Sequence, residues 1–196
     1  MKGMMYGCRL ETFKLRAEAV SAEVHRFPHK SAALDFILHY LHDVGISHTP
    51  QAGAVWAPCP FLDGFDQKQL SSQLPGLSFD VNREVSAEAK VGISQLDWAI
   101  ANTGTLVQDA ARVDQRLVST LPLIHIALIC SDRLVPDLPS ALSKIRPEQT
   151  NYISFITGPS RTADIERVLT IGVHGPEKLI IVFFDGVACD EPERVN

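Results

Sequence analysis

Leu121-Pro122-Leu123-Ile124-His125-Ile126-Ala127-Leu128-Ile129-Cys130 is the longest apolar run in the chain, and its reading decides the fold. Pro122 and His125 interrupt it, and it is far short of the roughly 20 residues that carry a helix across a bilayer. No membrane span is expected. Ile124 to Cys130 is β-rich, and two similar runs follow it, Tyr152 to Thr157 and Leu179 to Phe184. Helix-like segments, Pro136 to Ile145 and Thr162 to Gly172, lie in the first two intervals. Alternation of this kind predicts an α/β fold with a mainly parallel sheet flanked by helices. Parallel strands are buried on both faces, which accounts for continuous apolar runs that do not alternate.

Towards the N-terminus, Leu34, Ile37, Leu38 and Leu41 recur at the i, i+3, i+4, i+7 spacing of an amphipathic helix that Gly45 ends. Leu10, Phe13, Val20 and Val24 suggest a second amphipathic helix, so residues 1–50 are expected to be the helical N-terminal part of one domain spanning 1–196. Ala54-Val55-Trp56-Ala57 reads as a short buried strand closed by Pro58 and Pro60, and Asp63 to Gly76 as a short helix followed by a turn.

The net charge of −5 is not offset by any basic block, so no nucleic-acid partner is expected. Cys8, Cys59, Cys130 and Cys189 are scattered without a C-x-x-C pair. An iron–sulfur cluster requires closely spaced thiolates, so this chain alone is expected to bind neither a cluster nor another metal. The first residues lack the apolar core of a secretory signal, and the expected location is the cytoplasm. No G-x-S-x-G elbow, P-loop or G-x-G-x-x-G follows a strand.

Ligands of open α/β sheets bind outside the carboxyl ends of strands, which directs attention to two turns. Thr103-Gly104-Thr105, after Ala101-Asn102, can bring backbone N–H groups and hydroxyls close to an anion, or can be a plain glycine turn. Gly158-Pro159-Ser160-Arg161-Thr162-Ala163-Asp164 is expected to open a helix. Its N-terminus and Arg161 would seat a phosphate or carboxylate, while Ser160 or Thr162 acting simply as the N-cap accounts for the same residues. His125, inside an apolar strand, and His174, in a glycine-bracketed loop, are further ligand candidates. His39 and His42 with Asp35 have a spacing that can hold a metal, but they lie opposite the leucine stripe, where a solvated face explains them.

Three segments together resemble the LUD (lactate utilisation) family. They are Asp97-Trp98-Ala99-Ile100-Ala101-Asn102-Thr103-Gly104-Thr105-Leu106-Val107, Leu121 to Ala127, and Thr157 to Glu166 followed by Gly172-Val173-His174-Gly175-Pro176, covering roughly residues 90 to 186. The resemblance implies a fold like that of glucosamine-6-phosphate deaminase, ribose-5-phosphate isomerase and CoA transferases. It also implies an accessory role in an L-lactate-oxidising system whose iron–sulfur clusters belong to partner proteins. The candidate ligand residues for a small carboxylate or phosphate are then Thr103, Gly104, Thr105, His125, Gly158, Ser160, Arg161, Thr162 and His174. The family commonly carries an acidic residue where this chain has Asn102, which removes a candidate general base. A stand-alone enzyme, or a regulatory module, for a phosphorylated or acyl small molecule is the alternative.

Overall fold

A computed structural model describes residues 2–49, 51–145, 152–162, 170–171 and 175–186. Its centre is a sheet of six parallel strands: β1 (Ala22–Phe27), β2 (Gly53–Trp56), β3 (Leu77–Ser78), β4 (Ala89–Gln95), β7 (Ile124–Cys130) and β12 (Lys178–Phe184). Their order across the sheet is β1-β12-β7-β4-β2-β3, with every pairing parallel. The α/β expectation of a parallel sheet flanked by helices therefore holds.

Alternation along the central strands divides the core in two. Ile126, Leu128 and Cys130 of β7 and Ile180, Val182 and Phe184 of β12 face α2 (Lys30–Asp43), which contributes Ala33, Leu34, Ile37 and Leu41. Ala127, Ile129, Leu179, Ile181 and Phe183 face the opposite way, towards Leu10, Phe13 and Ala17 of α1 (Lys2–Glu18). Phe13 meets Phe183 edge to face, with centroids 5.1 Å apart. A fully buried side chain of this size contributes roughly 1.5–3 kcal/mol, so burial on both faces anchors these strands at the centre.

A second sheet covers the α1 face. It has the order β8-β5-β6-β9, formed by β5 (Trp98–Ile100), β6 (Thr105–Asp109), β8 (Leu134–Val135) and β9 (Ile153–Ile156). β5 leaves the carboxyl end of β4 and turns back; β6 runs antiparallel to it, and α5 (Val113–Thr120) then returns the chain to the start of β7. Gly92 lets α5 lie directly on β4, because a Cβ there would sit 2.1 Å from the Val118 carbonyl oxygen.

Three expectations are corrected. The run around Tyr152 to Thr157 is not part of the parallel sheet: β9 pairs antiparallel with β6 at the edge of the second sheet. Phe155 is 47% exposed, which is incompatible with a central strand buried on both faces. The expected helix from Thr162 to Gly172 does not begin at Thr162. Arg161–Thr162 (β10) and Thr170–Ile171 (β11) form a short antiparallel ribbon, in keeping with their β-branched residues, and residues 163–169 lie outside the described ones. Finally, α1 ends at Glu18, so Val20 follows it and Val24 belongs to β1, where buried Ala22 and Val24 alternate with exposed Glu23. Residues 1–50 thus contribute a strand as well as helices.

The remaining short elements, α3 (Gln67–Gln73), α4 (Arg83–Glu88) and α6 (Leu138–Leu142), are capped by Asp66, Asn82 and Asp137 respectively. Among the described residues no helix is long and apolar enough to cross a membrane.

Candidate functional site

The strand order creates a crevice at the carboxyl edge of the main sheet. The connection leaving β2 leads outward to β3, whereas the one leaving β4 leads the other way, to β7. Loops that part in this manner leave the crevice in which open α/β sheets bind ligands. A cleft of about 490 Å³ occupies that position. Cys59 and Asp63 reach it from the β2 side, Gln95 and Asp97 from the end of β4, Asp109 and Gln115 from β6 and α5, and Arg112 and Arg133 from the neighbouring loops.

Hydrogen bonds hold the cleft together. The Phe61 backbone N–H donates to Gln95 Oε1 at 2.7 Å, tying the loop after β2 to the end of β4. Lys30 Nζ donates to the Pro60 carbonyl at 2.8 Å from the α2 side. Asp97 Oδ2 accepts from the Asp109 N–H at 2.6 Å, and Asp109 Oδ1 from the Ala111 N–H at 3.2 Å. Arg133 lies over the Trp98 ring, 4.8 Å from its centroid, and is held in a half-buried position. Arg112 pairs with Asp114 and sits at the exposed rim. Burial pushes the Cys59 thiol up to about 11, which keeps it protonated at neutral pH.

At the other end of the carboxyl edge, Asp185 takes a 2.7 Å ion pair from Arg26 and a short hydrogen bond from Ser131. That side is closed by its own contacts, and the β2–β4 side is open.

The residues singled out in the sequence gather at the opposite, amino edge. Thr105 Oγ1 and Thr157 Oγ1 are 2.9 Å apart, so the two expected turns do converge. What lies between them is the junction of α1 and β1. A Cβ on Gly104 (φ +66°) would come 2.4 Å from the Ala17 nitrogen, and one on Gly158 (φ +70°) 2.5 Å from the Val20 oxygen. Arg161 Nη2 donates to the Val20 carbonyl at 2.9 Å and to Ser21 Oγ at 3.0 Å. The Ser160 N–H donates to the Pro176 carbonyl at 2.8 Å. Asn102 and Thr103 lie in the same turn and are exposed. Only the backbone of Thr162 is described, in β10, and His174 lies outside the described residues.

A cavity of about 230 Å³ remains at this edge, lined by His125, Thr157, Gly158, Ser160 and Gly175 among others. His125 is 1% exposed, and burial lowers its pKa to about 4, so it is neutral. Its Nε2 lies 2.9 Å from Ser94 Oγ, which accepts at 3.3 Å from Gln108 Nε2; the same Nε2 donates at 2.9 Å to Gln115 Oε1. This buried chain runs from the amino-edge cavity to the carboxyl-edge cleft. Gln95, Gln115, Arg112 and Arg133 belong to no motif, and the signal that points to them is the strand-end rule applied to β4, a strand whose apolar pattern is broken by Gly92 and Ser94.

Among the described residues no group of three or more histidine, cysteine or acidic side chains is placed to hold a metal ion. Cys8 is on α1, Cys59 follows β2, and Cys130 ends β7.

Lactate utilization protein C from Exiguobacterium sp. is 31% identical over 195 residues, covering 93% of this chain and 80% of that protein. The protein of the same name from Anoxybacillus flavithermus is 41% identical over 98 residues, 50% of this chain and 44% of the other. A crystal structure of a DUF162 family protein from Deinococcus radiodurans superimposes with a TM-score of 0.62 at 18% identity, covering 91% of this chain and 98% of that one. The LUD domain family model matches residues 10–184, and the chain belongs to the LUD domain family.

Proposed function

We propose that this chain is the carboxylate-binding component of a lactate-utilisation system, and that the cleft between β2 and β4 is where the carboxylate binds. The relatives' name, lactate utilization protein C, supports the pathway. One observation carries the site: the switch-point cleft brings Arg133, held on Trp98, together with Arg112 and two glutamine side chains. A guanidinium offers a carboxylate paired donors, and a half-buried one is worth more than a solvated one. Redox chemistry is supplied by separate iron–sulfur partner proteins, a division supported by thiols spread over α1, the β2 loop and β7.

Calorimetric titration of the purified chain with L-lactate, pyruvate and inorganic phosphate tests this. The two carboxylates bind, and Arg133→Ala weakens them roughly 10- to 150-fold, as loss of a charge-assisted bond worth about 1.5–3 kcal/mol requires. No binding of either carboxylate, or no effect of Arg133→Ala, rules the cleft out. A second reading puts the ligand in the amino-edge cavity by His125 and Ser160, and is favoured by the meeting of the resemblance-bearing segments there. In that case Ser160→Leu abolishes binding and Arg133→Ala leaves it intact.

A further inference from the structure

We infer that Gln95 and Gln115 form a donor pair on the floor of the cleft that reads an acceptor oxygen beside the ligand carboxylate, so that the cleft selects a 2-oxo acid over the corresponding 2-hydroxy acid. The inference rests on the carboxylate reading of the cleft and names its ligand class.

The argument is one of hydrogen-bond accounting. The partner of Gln95 is a backbone N–H, which only donates, so the amide oxygen must face Phe61. The Gln95 NH2 is then the group left for the cleft. Gln115 is fixed from inside the protein in the same sense: Gln108, 1% exposed, points its NH2 at Gln115 Oε1 and at Ser94 Oγ. Ser94 accepts from Gln108 and therefore has its own proton for His125 Nε2, which as the unprotonated nitrogen of a neutral imidazole accepts it. In this sense the Gln108 NH2 donates to both Ser94 Oγ and Gln115 Oε1, and the Gln108 atom left buried without a partner is its carbonyl oxygen, Oε1. Turning Gln108 over would orphan an NH2 with two protons instead, so the observed sense is favoured. Gln115 consequently also presents its NH2.

Both glutamines are half-buried, whereas Asp63 and Asp97 are exposed at the rim. Asp109, the half-buried carboxylate, accepts from a backbone N–H. A keto oxygen accepts two hydrogen bonds and brings no proton that needs an acceptor. A hydroxyl in the same place brings one into a donor-lined floor, and a methylene leaves both amide donors unmatched. His125, Ser94 and Gln108 are positioning residues that act through Gln115.

Pyruvate, L-lactate and propionate share one skeleton with C=O, CH–OH and CH2 at the second carbon, and calorimetric titration of the full chain with each is the test. Wild type binds pyruvate about 5-fold tighter than L-lactate and about 10-fold tighter than propionate. Gln115→Met brings the pyruvate-to-propionate ratio towards unity. Gln95→Glu keeps an oxygen for the Phe61 N–H, so the loop stays tied, and it removes the pyruvate preference; thermal melting of both variants verifies the fold. Affinities within about 2-fold of each other for all three acids, or tighter L-lactate, overturn the donor pair even if Arg133→Ala weakens all three, which would leave the carboxylate reading standing. If none of the three binds, both readings fall.

Discussion

The two edges of the parallel sheet use similar residues for different purposes. At the amino edge the glycines, threonines and arginine that resemble a ligand loop are spent on the protein itself: Gly104 and Gly158 let two turns press on the α1–β1 junction, and Arg161 caps the Val20 carbonyl. At the carboxyl edge no motif is present, yet Gln95 at the end of β4, Gln115 of α5 and the nearby Arg112 and Arg133 line a cleft, with Gln95 held by the Phe61 N–H and Gln115 by the Gln108 side chain. The difference lies in what is left over after internal hydrogen bonding. The amino-edge turns close on the α1–β1 junction, whereas at the carboxyl edge the two glutamine amides keep their NH2 groups for the cleft.

The sharpest way to break this comparison is at Gly104. Alanine there must adopt a left-handed backbone and press a methyl group into Ala17, so Gly104→Ala is expected to destabilise the fold by about 2–5 kcal/mol. Chemical denaturation measures it, and a loss below about 1 kcal/mol would mean that the turn is not the clamp described here.

His125 comes next. Its folded pKa, about 4, lies below the ordinary 6.5, so the unfolded chain takes up the proton first. The stability it contributes is fully present above about pH 6.5 and is lost as pH falls towards 4, on the order of 3 kcal/mol in all. Melting curves across that window show the decline, and His125→Gln flattens the slope.

The smallest stability effect is expected at Arg161. Arg161→Ala removes two exposed hydrogen bonds to the Val20–Ser21 turn and costs about 1 kcal/mol, with no change in carboxylate affinity. A fall in affinity comparable to that of Arg133→Ala would move the ligand to the amino edge.

What could be read from the sequence follows from burial. β7 and β12 are apolar on both faces and stand out without knowledge of their neighbours. β1 and β4 do not: Glu23, His25 and Arg26 interrupt the first, and the second is interrupted by Gly92 where α5 approaches, Ser94 where the polar chain passes and Gln95 where the Phe61 N–H is held. β9 was legible as a strand, but its sheet and direction depend on pairing with β6, which no local pattern encodes. The same holds for the cleft. Gln95 and Gln115 are unremarkable in sequence, and their meaning comes from which amide atom the fold has already used.

A crystal structure of the protein soaked with pyruvate tests the central claim most directly. The account predicts density between the carboxyl ends of β2 and β4, with the carboxylate on Arg133 and the keto oxygen within hydrogen-bond distance of Gln95 Nε2 and Gln115 Nε2. Density beside His125 and Ser160 at the amino edge, with the β2–β4 cleft empty, would contradict it.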